Sequence, residues 1–254
     1  RLCTQAWLIW GRFNASYGTR GALLSQSSIT FITPSYTPEQ QKVIDRLEGD
    51  LHTHMYEVKP KRFTHSISVG HMAETMALVY DANPFYARIA GILHDWDKVL
   101  STEETLARAR ACKLDMGGAP YQNVVGLIHG PLAACELPKY YPWLPQEVLG
   151  AISKHTTADL EMSDLDKIVY VADLIEPGRP EFSGIAQVRD LFKKGASLDE
   201  LYQASFMETL SYVVASRKYL YPKSVAIYNA MIENTNKITA LYSRLSVGDE
   251  DRDG

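Results

Sequence analysis

Residues 87–98 read Ala87-Arg88-Ile89-Ala90-Gly91-Ile92-Leu93-His94-Asp95-Trp96-Asp97-Lys98. The apolar spacing predicts a helix with one face in a core. It ends on a histidine followed by an aspartate. Adjacent helical residues lie about 100° apart, so a neutral nitrogen donor and an anionic oxygen donor emerge side by side where the helix is most buried. Such a pair packs poorly and suits a metal cation. Four further donors lie where they could join it: His65, His129, His155 and Asp173.

Outward from this stretch the chain reads as helices. Thr37-Pro38-Glu39-Gln40 places a capping threonine before a proline at the first helical position and a glutamine at the third. Asn83-Pro84 opens a helix in the same way, and Ser101-x-x-Glu104 and Ser197-x-x-Glu200 are capping boxes, with Ser163-x-x-Asp166 a weaker relative. Apolar stripes follow, such as Val69, Met72, Ala73, Met76 and Val79, or Leu165, Ile168, Val169 and Ala172. No period-2 pattern appears after residue 36. The expected fold is all-α, a helical bundle over residues 37–247, with roughly eight to ten helices. Residues 1–36 are expected to form an irregular N-terminal arm, with Thr30-Phe31-Ile32-Thr33 its one strand-like stretch, and residues 248–254 an acidic tail.

Composition narrows the function. A net charge of −4 and a pI near 6.0 argue against a nucleic-acid backbone binder. No apolar run approaches the roughly 20 residues needed to span a bilayer, and Ala6-Trp7-Leu8-Ile9-Trp10 is too short for a signal-peptide core. Cys3, Cys112 and Cys135 are odd in number and widely spaced, which fits a reducing cytoplasm better than a disulfide framework. The expectation is a cytoplasmic protein with neither nucleic acid nor membrane as partner.

Each candidate ligand has a plainer reading. A histidine at a helix end usually caps or hydrogen-bonds, and Asp173, inside Ile168-Val169-Tyr170-Val171-Ala172-Asp173-Leu174-Ile175, could pair with a buried base. Burying that carboxylate is costly unless it is paired or ligated. The joint order H…HD…H…H…D, each member beside apolar helical sequence, favours ligation. His129 precedes Gly130-Pro131 and is expected at a helix end or break. His52, His54 and His71 do not extend the pattern; His52-x-His54 reads as a solvated helix face.

With these motifs the chain resembles the HD-domain phosphohydrolases, more narrowly the YqeK family of bacterial HD proteins. The matching stretches are Lys61-Arg62-Phe63-Thr64-His65-Ser66, Ala90-Gly91-Ile92-Leu93-His94-Asp95 with Lys98, His129-Gly130, Ser153-Lys154-His155-Thr156-Thr157, and the most family-specific block, Lys167 to Arg179. The resemblance covers roughly residues 38–235. It implies a metal centre, commonly iron, and symmetrical cleavage of diadenosine tetraphosphate to two ADP. It also implies that His65, His94, Asp95 and Asp173 hold one ion, and that His129 and His155 complete a second site with Asp95 bridging. Trp96 and Asp97 depart from the family pattern and are expected to reshape the pocket entrance or change substrate preference.

A nitrogen and carboxylate donor set without thiolate suits iron, manganese, cobalt or zinc better than magnesium. A tetraphosphate needs cations beyond the metal. Lys98, Arg62 and Arg179 are the candidates, Lys98 also as a catalytic group that neutralises developing charge beside Asp95, and Arg179 as a bidentate grip. Thr156 is a candidate phosphate donor, although its sequence context favours a turn cap. Another nucleotide as substrate and a non-catalytic nucleotide-binding module remain the alternative readings. A homodimer through Tyr140, Tyr141 and Trp143 is open, as is their packing on the chain's own core.

Overall fold

The structure is a computed structural model, and it describes residues 29–247, with side chains through residue 234. Ten α-helices make up the described chain: α1 (Pro38–Met55), α2 (Pro60–Val79), α3 (Pro84–Leu93), α4 (Thr102–Ala111), α5 (Val125–Tyr140), α6 (Gln146–Lys154), α7 (Asp164–Ile175), α8 (Ser183–Lys193), α9 (Leu198–Ala215) and α10 (Pro222–Val247). Single 3₁₀ turns at Trp96–Val99 and Tyr121–Asn123 flank α4. The all-α expectation holds among the described residues.

The helices begin where the sequence marks them. Thr37, Ser101, Ser163 and Ser197 all close full capping boxes, including the Ser163–Asp166 pair, and the Asn83 side chain accepts from Phe85 N and Tyr86 N. Residues 30–33 do not form a strand. They lie against α2, where Ile32 N donates to Thr75 Oγ1 at 2.9 Å and Phe31 stacks on His71. With only a helix beside them, they meet no strand to pair with. The earlier part of the expected arm, residues 1–28, and the acidic tail lie outside the described residues.

α2 and α3 pack against each other more extensively than any other pair of elements, and both also touch α7. Two large cores meet along α7: one gathers Val69, Met72, Met76, Ile168, Val171 and Leu201, the other Leu47, Leu51, Ile89, Leu93, Ile152 and Val169. A smaller one under α4 joins Ala109, Met116, Ile128 and Leu132. Here the cysteine expectation fails: Cys112, at the end of α4, and Cys135, in α5, form a disulfide. They are remote in sequence, and only the side-by-side packing of α4 and α5 brings them together. No described helix is long and apolar enough to cross a membrane.

Candidate metal centre

α2 carries His65 on its second turn, and α3 delivers His94 and Asp95 at its C-terminal end. α5 carries His129, α6 ends at His155, and α7 carries Asp173. The helix through His129 does not break, contrary to the expectation from Gly130-Pro131. Both Pro131 and Pro138 lie inside α5, whose buried side, from Ile128 through Leu132 and Ala133 to Leu137, holds it in place.

Two close helix crossings bring the donors together. At Gly91 an added Cβ would lie 2.6 Å from the Gly70 Cα, so the backbones of α2 and α3 touch one turn from the His94–Asp95 pair. At Gly130 it would lie 2.8 Å from the Ile152 carbonyl and 3.0 Å from the His155 ring. Only glycine allows backbones this near.

All six sequence-selected ligands converge. His65 Nε2 lies 2.9 Å from Asp173 Oδ1 and 3.9 Å from Asp95 Oδ2. His94 Nε2 is 3.6 Å from Asp95 Oδ2 and 3.7 Å from Asp173 Oδ1. His129 Nε2 and His155 Nε2 face the other oxygen of Asp95, Oδ1, at 3.1 and 3.7 Å. Asp95 therefore sits between the two halves, one carboxylate oxygen toward each. Three overlapping groups have donor atoms close enough for an ion: His65–His94–Asp95, His94–His155–Asp173 and Asp95–His129–His155.

The imidazoles are oriented alike. The Nδ1 atoms of His94, His129 and His155 reach the carbonyls of Gly91, Gly126 and Ile152, each three residues back, at 2.7, 3.0 and 2.7 Å. Each such bond makes Nδ1 the donor and leaves the Nε2 lone pair facing inward. His94 Nε2 is fully buried and has no hydrogen-bond partner, an unmet acceptor that a metal ion would satisfy. Burial is the main cause that takes the His94 imidazole down to about 3 and the His129 imidazole to about 4, so both are neutral ligands at neutral pH. Burial pushes the Asp95 carboxyl up, but the facing His94, His129 and His155 outweigh it and hold Asp95 well below the usual carboxylate range. His65 goes the other way: burial pulls it down, but its hydrogen bonds to Asp173 and Glu176 outweigh that and raise it to about 9. Imidazole nitrogens among ionised carboxylates fit a transition-metal ion.

The cationic candidates border this cluster. Arg62 Nη1 donates to Asp95 Oδ2 at 2.9 Å, and the Arg179 guanidinium pairs with Asp173 through its carboxylate and backbone oxygens. Lys98 reaches the Gly126 carbonyl at 3.5 Å and makes no ion pair with Asp95 or Asp97 among the described residues. Thr156 Oγ1 lies 3.2 Å from His129 Nε2, at the metal centre rather than in a remote turn. His71 binds Glu74 and Arg88, outside the ligand groups.

Three expectations change. Trp96 turns away from the site into the second core, where His54 stacks on it with 4.1 Å between ring centroids. His54 is thus half-buried, with Nε2 on the Trp96 carbonyl, while its neighbour His52 is exposed. Asp97 is buried near Glu136 and Arg108; burial first, then Glu136, raises its carboxyl to about 7. Of the two departures from the family pattern, Trp96 therefore packs in a core, and Asp97 is a buried carboxyl whose Oδ2 has no hydrogen-bond partner. Of the proposed interface aromatics, Tyr141 is buried, while Tyr140 and Trp143 stay exposed. One site residue escaped the sequence reading: Glu176, buried just after α7, whose carboxylate lies 3.0 Å from His65 Nδ1. The one available signal was a charged residue directly ending the apolar run of α7.

Comparison with known proteins identifies the family. The HD domain family matches residues 62–178, a span that contains all six candidate ligands. The symmetrical bis(5'-nucleosyl)-tetraphosphatase of Staphylococcus aureus is 31% identical over 69% of this chain and 86% of its own length. That of Halalkalibacterium halodurans is 32% identical over 67% of this chain and 89% of its own. A solved structure, a predicted HD superfamily hydrolase involved in NAD metabolism from Clostridium acetobutylicum, matches with a TM-score of 0.67 at 30% identity, covering 75% of this chain and 97% of that one. The chain belongs to the HD-domain hydrolases, in the family that contains the symmetrical bis(5'-nucleosyl)-tetraphosphatases.

Proposed function

We propose that this protein is a metal-dependent hydrolase that cleaves diadenosine tetraphosphate symmetrically, adding water across the central anhydride to give two ADP. The observation that carries the reading is the convergence of His65, His94, Asp95, His129, His155 and Asp173 on one buried point, in a chain whose relatives bear that activity's name. This donor set favours transition-metal ions as the cofactor, iron first and manganese, cobalt or zinc next, and Asp95 would be the residue that two ions share. Ions held there supply Lewis acidity to phosphate oxygens and lower the pKa of water to about 7.

The chain's own residues do the rest. The Arg62 and Arg179 guanidiniums, set at the two carboxylates, offer planar donors to the phosphate chain. Lys98 is our candidate to oppose charge that builds on the cleaved oxygens; burial lowers its pKa, while Asp95 nearby counters that fall. The Thr156 hydroxyl, 3.2 Å from His129 Nε2, is our candidate to hydrogen-bond a phosphate oxygen. The buried floor excludes bulk water and strengthens each of these contacts.

Product analysis tests the proposal. Protein loaded in turn with iron, manganese, cobalt or zinc and incubated with diadenosine tetraphosphate should yield ADP alone. ATP with AMP would overturn the symmetrical reading, and no turnover with any of the four metals would overturn the hydrolase reading.

A further inference from the structure

Three of the four site imidazoles lean on neutral acceptors, the backbone carbonyls of Gly91, Gly126 and Ile152. His65 differs. Its Nδ1 lies 3.0 Å from Glu176 Oε1, and its Nε2 faces Asp173 at 2.9 Å. One segment, the end of α7 and the residue after it, thus supplies a carboxylate to each side of the ring.

Glu176 is itself held on every side. Ser68, one turn beyond His65 on α2, donates to Glu176 Oε2 at 2.6 Å, and Gly178 N donates to the same oxygen at 2.6 Å. A Cβ on Gly178 would meet that oxygen at 2.9 Å, so a side chain there would push the carboxylate from this position. Arg189, from α8, donates through Nη2 to the Glu176 carbonyl at 2.6 Å and through Nε to the Ile175 carbonyl at 3.0 Å, fixing the backbone that carries the carboxylate. This is a built support with one open task, to accept the Nδ1 hydrogen of His65. An ionised acceptor there sets the tautomer and makes the opposite nitrogen a stronger metal donor than a carbonyl acceptor does.

We propose that Glu176 is the positioning residue of the metal centre: it locks His65 with Nε2 toward Asp173 and makes the His65 half the tighter of the two ion positions. The proposal rests on the metal-centre reading of the same cluster. It deepens that reading by separating the halves, one imidazole backed by a carboxylate and the others by peptide oxygens.

Glu176→Gln tests it sharply. Two donors, Ser68 and Gly178 N, face Oε2, so the glutamine oxygen settles there and its NH₂ turns to His65. The ring must then accept at Nδ1 and carry its hydrogen on Nε2, which cannot bind a metal. Metal affinity is read by competition against a chelator with manganese as the probe, with circular dichroism reporting the fold. The expected result is a loss of about 10- to 100-fold in the tighter class of sites, the weaker class unchanged, and partial recovery in Glu176→Asp. Wild-type affinity in a folded Glu176→Gln protein overturns the proposal. If that variant does not fold, Ser68→Ala replaces it: a several-fold affinity loss supports the role, and wild-type affinity overturns it. The readout is binding, so the outcome stands whether or not diadenosine tetraphosphate proves to be the substrate.

Discussion

Asp95 touches more of the site than any other side chain. One of its oxygens faces His129 and His155, the other Arg62, His65 and His94. Replacing it with alanine removes the anion shared by both halves, and unpaired Arg62 adds a positive charge that opposes metal entry. Asp95→Ala should lose bound metal, measured by mass spectrometry, and lose turnover. Its far-ultraviolet dichroism should match wild type, because residue 95 lies beyond the last turn of α3. Arg179→Ala should act on substrate: a charged contact is worth about 1.5 kcal/mol, so KM for diadenosine tetraphosphate should rise about tenfold while kcat changes less. Steady-state kinetics decide, and an unchanged KM removes Arg179 from the phosphate path. The cluster of candidate ligands was legible in the sequence because buried imidazoles and carboxylates are costly without a purpose. Glu176 was not, since its acceptor role depends on His65, 111 residues away. His54 was misread for a similar reason: its face looks solvated until Trp96 folds over it.

At the scale of elements, the capping boxes made the helix starts readable, since Ser101, Ser163 and Ser197 announce them locally. Ser163→Ala should cost about 1 kcal/mol, seen as a lower urea midpoint. The crossing of α2 and α3 was not readable. A glycine inside a helical pattern usually signals weakness, and only the packed structure shows Gly91 against Gly70. Gly91→Ala should force these helices apart and move His94 and Asp95 away from His65. We expect a loss above about 2 kcal/mol, in the range of overpacked cores, together with weaker manganese binding. Pro131 shows the converse: the residue most often taken as a helix stop sits inside α5, held there by the buried residues around it.

Across the whole molecule, the candidate ligands come from five helices and their ends, between residues 65 and 173. An ion that binds only when all five are docked stabilises the entire bundle by mass action. Removing metal with a chelator should lower the melting temperature, and adding manganese back should restore it in proportion to the free ion. Calorimetry checks this; a melting temperature indifferent to metal would place the ion, if any, outside the folding equilibrium. The all-α architecture was legible because its signals are local. The Cys112–Cys135 link was not, because no sequence pattern says that α4 and α5 lie side by side.

That link has a practical consequence. Exposed Lys113, Asp115 and Gly118 lie inside the loop it closes, and loop tips of this kind are where proteases cut. A nick there would leave two fragments, one bearing His65 and Asp95, the other His129, His155 and Asp173, still covalently tethered. On a non-reducing gel the clipped protein should migrate as a single band, and only reductant should release the pieces.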